Sequence, residues 1–518
     1  MRRHHLSLAA ILFALSLQNL PARTLEEQNA RVEALLPELR RDALRYRRAF
    51  DTPGMAIAVV TRNRIYPLVS GVCEAGQSRP VRPATRFQYA SVSKPITATF
   101  AAMLVSEGKL DWDDRLHDLL PNVRFANPRP TRLTTIRDLL SQRSGLPGSA
   151  GEFLEGLGQP QGRILRQMRF VSTGKNFRRN WAYSNFGITL GGVAAAKAAQ
   201  QRFPAALRQQ FMRRIGMNRA TARYRQFERT PNRASLHYIF DGKPMPAFFR
   251  DANAQAPGGG VSGSVLDLAA FLQLHLNHGM VGNRQIVDPA ELDECYRRYS
   301  DLGHGRHGAD PRDRAFYGMC WDITVKPDGT EYISHGGAFS AGARTLVTFR
   351  RADDIGIVVL TNSFPSLLPE AVTDVFFQRY DTGRVRGGTL ATYLERNKQI
   401  IPPEFTKLLF GLVDTPAEIN GRPLSAYAGR YRNDYIGNFH LFQAFDPESG
   451  RDALFFQATP LHLRTKVQMD PSNGDLIART GEGNLLDLEF RDFDGEKFRT
   501  LVLPGAAEVG WQKLERAP

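Results

Sequence analysis

The sequence predicts an α+β protein: one antiparallel sheet covered by a helical lobe, followed by a small antiparallel β-barrel or sandwich. Three observations carry this. Strand-length apolar runs stand near the start, at Met55-Ala-Ile-Ala-Val-Val60 and Ile65 to Val72. Similar runs return only at Tyr332–Ser334, Arg344–Phe349 and Ile355–Leu360, so both ends of this region must complete one sheet. Beyond Tyr427 about eight short β-type runs alternate with turns as far as Leu514.

In chain order, Arg2, Arg3, His4 and His5 precede an apolar stretch from Leu6 to Leu17, and Ala22 closes a Leu-Pro-Ala tripeptide. This is the order of a secretory signal peptide over residues 1–22, and the apolar run is too short for a membrane span. The mature chain is expected to be exported to the periplasm or secreted, with no transmembrane anchor. Leu25–Phe50 is charged, with leucines at helical spacing, and reads as a surface helix. Asn63 sits in the tight connection of the first hairpin. The middle reads as helices at Pro95–Glu107, Ile136–Leu140, Thr189–Ala199 and Val265–His278, covering one side of the sheet. Arg351–Asp354 is the turn between the last two strands. Leu367–Tyr380 and Leu390–Phe410 read as helices, with a break at Gly387 and Gly388. The domains expected are residues 23–385, a linker over 386–420, and a separable β-rich unit over 421–518.

A chain of 518 residues is too long for a single core. Its net charge of +16 is scattered, with no basic helix or RNA-binding aromatic strand, which argues against nucleic acid as a partner. Cys73, Cys295 and Cys320 are too few and too far apart for a disulfide framework or a zinc site, and are expected to be buried apolar residues. His275 with His278, and His304 with His307, lack the companions of a metal centre, so no metal and no cofactor is expected.

The strongest chemical signal is Tyr89-Ala-Ser91-Val-Ser-Lys94-Pro-Ile-Thr97. Ser91 and Lys94 stand three apart at the start of an apolar helix and so share a face, where burial can keep the lysine amine partly neutral. Such an amine can activate the hydroxyl as a nucleophile. A second match, Ser172-Thr-Gly-Lys175, lies in a loop with no apolar helix behind it and reads as structural. Next comes Tyr183-Ser-Asn185, whose phenol can relay the serine proton while the amide binds a substrate carbonyl. The copy at Tyr431-Arg-Asn433 reads as a turn between strands. The third element is His335-Gly336-Gly337, where two strand glycines imply the close approach of a backbone or ligand. The N–H groups of Ser91 and Ala338 would form an oxyanion hole.

In this order the three elements resemble the active site of the serine β-lactamase/penicillin-binding-protein superfamily, in its class C-type branch. The resemblance runs from about Asp51 to Asn362 and takes in Leu139–Pro147, Gly258–Ser264 and Tyr317–Trp321. It implies that Ser91 is acylated, that Lys94 and Tyr183 move protons, and that Asn185 and His335 orient the substrate. Tyr427-Ala-Gly-Arg-Tyr431 is similar to the start of the lipocalin-like barrel that several members carry. Gln142-Arg143 stands where members often have His-Thr, in a loop taken as structural, and no Lys-Thr-Gly is present. The lysine's absence favours an esterase, or a D-Ala-type carboxypeptidase or aminopeptidase, over a β-lactamase. A sensor that is acylated without turnover is the non-enzymatic alternative. The expected partner is a small molecule or short peptide, cell-wall derivatives included.

Overall fold

The computed structural model describes residues 24–246, 250–305, 310–400, 411–458, 465–479 and 485–517; the expected signal peptide, the end of the Leu390–Phe410 helix and His307 lie outside them. Strands β1 (Gly54–Thr61), β2 (Ile65–Gly71), β3 (Ser300–His304), β4 (Arg314–Tyr317), β5 (Asp322–Val325), β6 (Glu331–Phe339), β7 (Ala343–Arg350) and β8 (Ile355–Thr361) form one sheet. Its order is β2-β1-β8-β7-β6-β5-β4-β3, antiparallel throughout. The two ends of the region meet where β1 pairs with β8, Met55 opposite Thr361 and Thr61 opposite Ile355. The short strands β3–β5 sit in a stretch where the sequence shows no strand pattern.

The sheet is covered on both faces, not one. Every residue of β1 is buried, and its side chains alternate between two cores. Ala56, Ala58 and Val60 join the core of the helical lobe, which includes helices α2 (Ser93–Ser106), α3 (Asn185–Ala198) and α4 (Val265–Leu276). Met55, Ile57 and Val59 face a second core made by α1 (Leu25–Ala49) and α5 (Leu368–Thr382). The leucine pattern of α1 is therefore a docking stripe: Val32 and Leu39 are buried, and a Thr24–Glu27 capping box starts the helix. A helix at Thr389–Asn397 falls inside the stretch read as a linker and seats Tyr393 in this second core.

The C-terminal unit is a closed barrel of eight strands, β9 (Gly429–Asn433), β10 (Gly437–Asp446), β11 (Arg451–Ala458), β12 (Thr465–Met469), β13 (Leu476–Arg479), β14 (Leu485–Phe493), β15 (Phe498–Val502) and β16 (Lys513–Arg516). Neighbouring strands pair antiparallel, and closure comes from β9 pairing with β16 and β12 with β13. Closure removes the unpaired edges that a sandwich would leave. The three cysteines are buried and unbridged.

Candidate active site

Ser91 lies on a 3-10 turn, Ala90–Val92, that leads into α2. The turn is strained: Ala90 has φ +48°, a left-handed conformation that costs a non-glycine residue about 1 kcal/mol or more. Its surroundings hold it. The Tyr89 carbonyl accepts from Thr345 Oγ1 at 2.8 Å, and the Ala90 carbonyl accepts from Ser93 Oγ at 2.7 Å. One helical turn on, Lys94 is fully buried, and its Nζ donates to Ser91 Oγ at 2.8 Å and to the Gly258 carbonyl at 2.7 Å. Burial pushes the lysine down to about 7. A Cβ on Gly258 would stand 2.9 Å from the Asn185 carbonyl, so this position must be bare for the segment to pack against the start of the helix that follows Tyr183.

Tyr183 precedes α3, and the Ser91 hydroxyl beside its phenol partly offsets the effect of burial on it. Lys94 Nζ lies 4.7 Å from the centre of the phenol ring. Burial holds this phenol far above the usual tyrosine range, so it stays protonated at neutral pH. Gln142 fixes the loop. Its carbonyl accepts from Ala182 N at 3.1 Å and its Oε1 accepts from Ser184 N at 2.9 Å. The residue set aside as part of a structural loop is thus the brace of Tyr183 and Asn185.

Asn185 opens α3 and donates from Nδ2 to Glu152 Oε1 at 2.6 Å, and the same nitrogen carries a second N–H. Strand β6 supplies the other wall. It pairs with β5 only from Glu331 to Ser334, but with β7 from Ile333 to Phe339. Among the described residues, its stretch from His335 to Phe339 therefore has no strand on the β5 side. Here a Cβ on Gly337 would fall 2.3 Å from the Tyr89 carbonyl and 3.0 Å from Ser91 N. The glycine is explained by the backbone of Tyr89 and Ser91. Gly336 differs, since a Cβ there would meet nothing closer than 3.8 Å.

His335 is buried, and its ring centre lies 6.3 Å from that of Tyr183. Its Nδ1 donates to the Gly336 carbonyl at 2.7 Å. That bond fixes the tautomer: a neutral ring carries its lone pair on Nε2, and only the imidazolium donates from there.

The residues of the three motifs come together around Ser91, Lys94 buried behind it and the others on two neighbouring cavities. Ser91, Asn185 and Ala338 line a cavity of about 340 Å³; Tyr183, His335 and Gly336 line a neighbouring one of about 490 Å³. Ser172 and Lys175 stay on an exposed loop, and Tyr431 is buried in the barrel. His275 packs among Phe271, Tyr296 and Trp321. Glu152, Glu155, Arg250 and Gln255 also line the first cavity, as do Leu485 and Leu486 of the barrel. No short motif marks these residues, because each reaches the site only through the tertiary fold.

A nucleophile held beside a buried lysine and phenol, on a sheet with a helical lobe, defines a class of serine hydrolase. The family model described as Beta-lactamase matches residues 40–376, well over half of the chain, and the chain belongs to that family. Among similar proteins, Penicillin-binding protein 4 of Amycolatopsis lactamdurans is 28% identical over 46% of this chain and 63% of its own length. Penicillin-binding protein 4* of Bacillus subtilis is 28% identical over 57% and 65%. Esterase EstB of Burkholderia gladioli is 30% identical over 43% and 57%. The chain thus spans a little under two thirds of the length of these relatives. Two solved structures share the fold. The octameric penicillin-binding protein homologue of Pyrococcus abyssi, with TM-score 0.57 and 18% identity, covers 92% of this chain and 99% of its own. The class C beta lactamase of Rhodobacter sphaeroides, with TM-score 0.52 and 18% identity, covers 67% and 99%.

Proposed function

We propose that the protein is an exported hydrolase that forms an acyl-enzyme on Ser91 and acts on an ester or a D-amino-acyl peptide or amide. The observation that carries this is the 2.8 Å contact between Ser91 Oγ and a fully buried Lys94. An amine held near 7 is neutral in half its copies at neutral pH and can take the serine proton as Oγ attacks the carbonyl. The N–H groups of Ser91 and Ala338 would receive the oxyanion. Tyr183, kept protonated, hands its proton to the leaving group and is recharged through Lys94. Water then hydrolyses the acyl-enzyme. The names of the relatives, two penicillin-binding proteins and an esterase, agree with this range of substrates. No helix among the described residues is long and apolar enough to cross a membrane.

His335 sets the preference. Where a lysine would hold a permanent charge for a substrate carboxylate, the histidine offers a donor at Nε2 only when protonated. Uncharged esters and D-amino-acyl substrates should turn over well, and penicillins should acylate slowly. The test is kcat/KM for a penicillin and for an uncharged ester between about pH 5.5 and 8.5, in the unmodified protein and in His335→Lys. The substitution should improve the penicillin at neutral pH, with little gain for the ester. Efficient, pH-independent penicillin hydrolysis by the unmodified protein would make it a β-lactamase instead.

A further inference from the structure

The leaving group must lie beside its proton donor, Tyr183, so the acyl part of a substrate is directed into the other cavity, past Asn185 and Ala338. The charges there do not cancel. Arg250 Nη2 is 2.9 Å from Glu155 Oε2, and those two neutralise each other. Glu152 remains. Its described bond is to the neutral amide of Asn185, and among the described residues it forms no ion pair; burial raises its carboxyl above the usual range, and a cation entering the cavity would hold it ionised. Lys94 has been pushed toward its neutral form and so compensates it poorly. A second, independent atom points the same way. Glu155 is only 7% exposed, yet its Oε1 has no hydrogen-bond partner among the described residues. A carboxylate oxygen buried without a donor is costly, and a cationic group entering the cavity would satisfy it.

The geometry points to an acyl-side subsite for a substrate ammonium, with Glu152 as its counter-ion and specificity-determining residue. This rests on the Ser91 acyl-enzyme reading above and names the substrate class: acyl groups that carry a free amine close to the scissile carbonyl. Asn185 places the carboxylate. Its amide holds Glu152 at 2.6 Å in the cavity that Ser91 and Ala338 also line, so the carboxylate stands on the acyl side of a scissile carbonyl seated at those two N–H groups. An α-amino group, two bonds from the carbonyl carbon, is the substrate amine that enters this cavity first. An uncharged or N-acylated group would leave Glu152 buried against an apolar or neutral surface.

The experiment compares kcat/KM for D-alanine p-nitroanilide and N-acetyl-D-alanine p-nitroanilide, using full-length protein and Glu152→Gln. The unmodified protein should prefer the free amine by about tenfold or more, the effect of one charge-assisted contact. In Glu152→Gln the ratio should fall close to one. Glu152→Asp keeps the charge and should keep the preference, which separates loss of the counter-ion from a change transmitted through Asn185. Equal rates in the unmodified protein, or a preference that survives Glu152→Gln, overturns the proposal. Fluorophosphonate labelling is read in parallel on both proteins. Labelling at Ser91 with neither anilide hydrolysed also overturns the subsite, whereas no labelling at Ser91 in the unmodified protein overturns the serine-hydrolase reading beneath it. Labelling of Glu152→Gln shows that the variant is folded.

Discussion

Lys94 carries the central conflict between stability and function. Its ordinary value of 10.5 falls to about 7 because the charged form has lost its water. Below pH 7 the folded protein holds a buried ammonium and bears the whole cost. Between 7 and 10.5 the folded state sheds the proton while the unfolded chain keeps it, and the cost shrinks by about 1.4 kcal/mol per unit. Lys94→Met should therefore gain Tm relative to the unmodified protein most strongly near pH 6.5, with a smaller advantage near pH 9.5. An advantage that grows with pH would contradict a depressed lysine. The same group sets the rate: acylation should rise about tenfold per unit below pH 7 and level off above it. Ser91→Ala should abolish fluorophosphonate labelling, and an adduct at Ser172 would contradict the assignment. The pair was legible on the sequence because helix geometry alone brings Ser91 and Lys94 together. Gln142 and Glu152 were not. Gln142 acts 42 residues away on Ser184, and Glu152 acts 33 residues away on Asn185, so neither has a local signature.

At the scale of the element, β6 does two jobs with one run of residues. From Glu331 to Ser334 it is an interior strand, and from His335 onward its β5 side belongs to the cleft. The two glycines at that change look equivalent on the sequence, and the structure separates them. Gly337→Ala would drive a methyl group into the Tyr89 carbonyl and Thr345 Oγ1, at 2.3 and 2.4 Å, on a turn already strained at Ala90. It should cost roughly 1–3 kcal/mol and slow Ser91 labelling at least tenfold. Gly336→Ala meets only ordinary contacts and stiffens the unfolded chain, so it should raise stability by about 0.5 kcal/mol. Thermal unfolding and labelling rates of the two variants check this; equal effects would remove the steric account. Long strands with a clear apolar pattern, such as β1 and β8, could be read directly. Strand β3 could not, because it is an edge strand with Asp, Gly and His in five residues, and β4, Arg314–Tyr317, is too short for a periodic pattern although it is paired on both sides.

The whole molecule joins its two units at the substrate. The barrel fastens the segment that carries Glu152: Gly148 N and Ser149 N donate to the Glu508 carboxylate at 3.1 and 3.3 Å. Gly151 N donates to Tyr435 Oη at 3.1 Å, and Trp511 Nε1 donates to the Phe170 carbonyl at 2.9 Å. The groups that hold Ser91, by contrast, lie within the catalytic region: Lys94 donates to Ser91 Oγ and to the Gly258 carbonyl, and Thr345 Oγ1 holds the Tyr89 carbonyl behind it. Removing the barrel should thus spare the reactivity of Ser91 and alter what can approach it. Leu485 is the side chain to test, since it lines the acyl cavity and packs in one apolar cluster with Ala338. Leu485→Ala in the full chain deletes part of the far wall, which should raise kcat/KM for p-nitrophenyl decanoate over acetate by about fivefold. A chain ended at residue 416 should shift the same ratio in the same direction, keep Ser91 labelled, and unfold at a lower temperature for want of its contacts on 148–170. If the ratio stays fixed in both variants while labelling persists, the barrel is a passive appendage and the acyl group never reaches its wall.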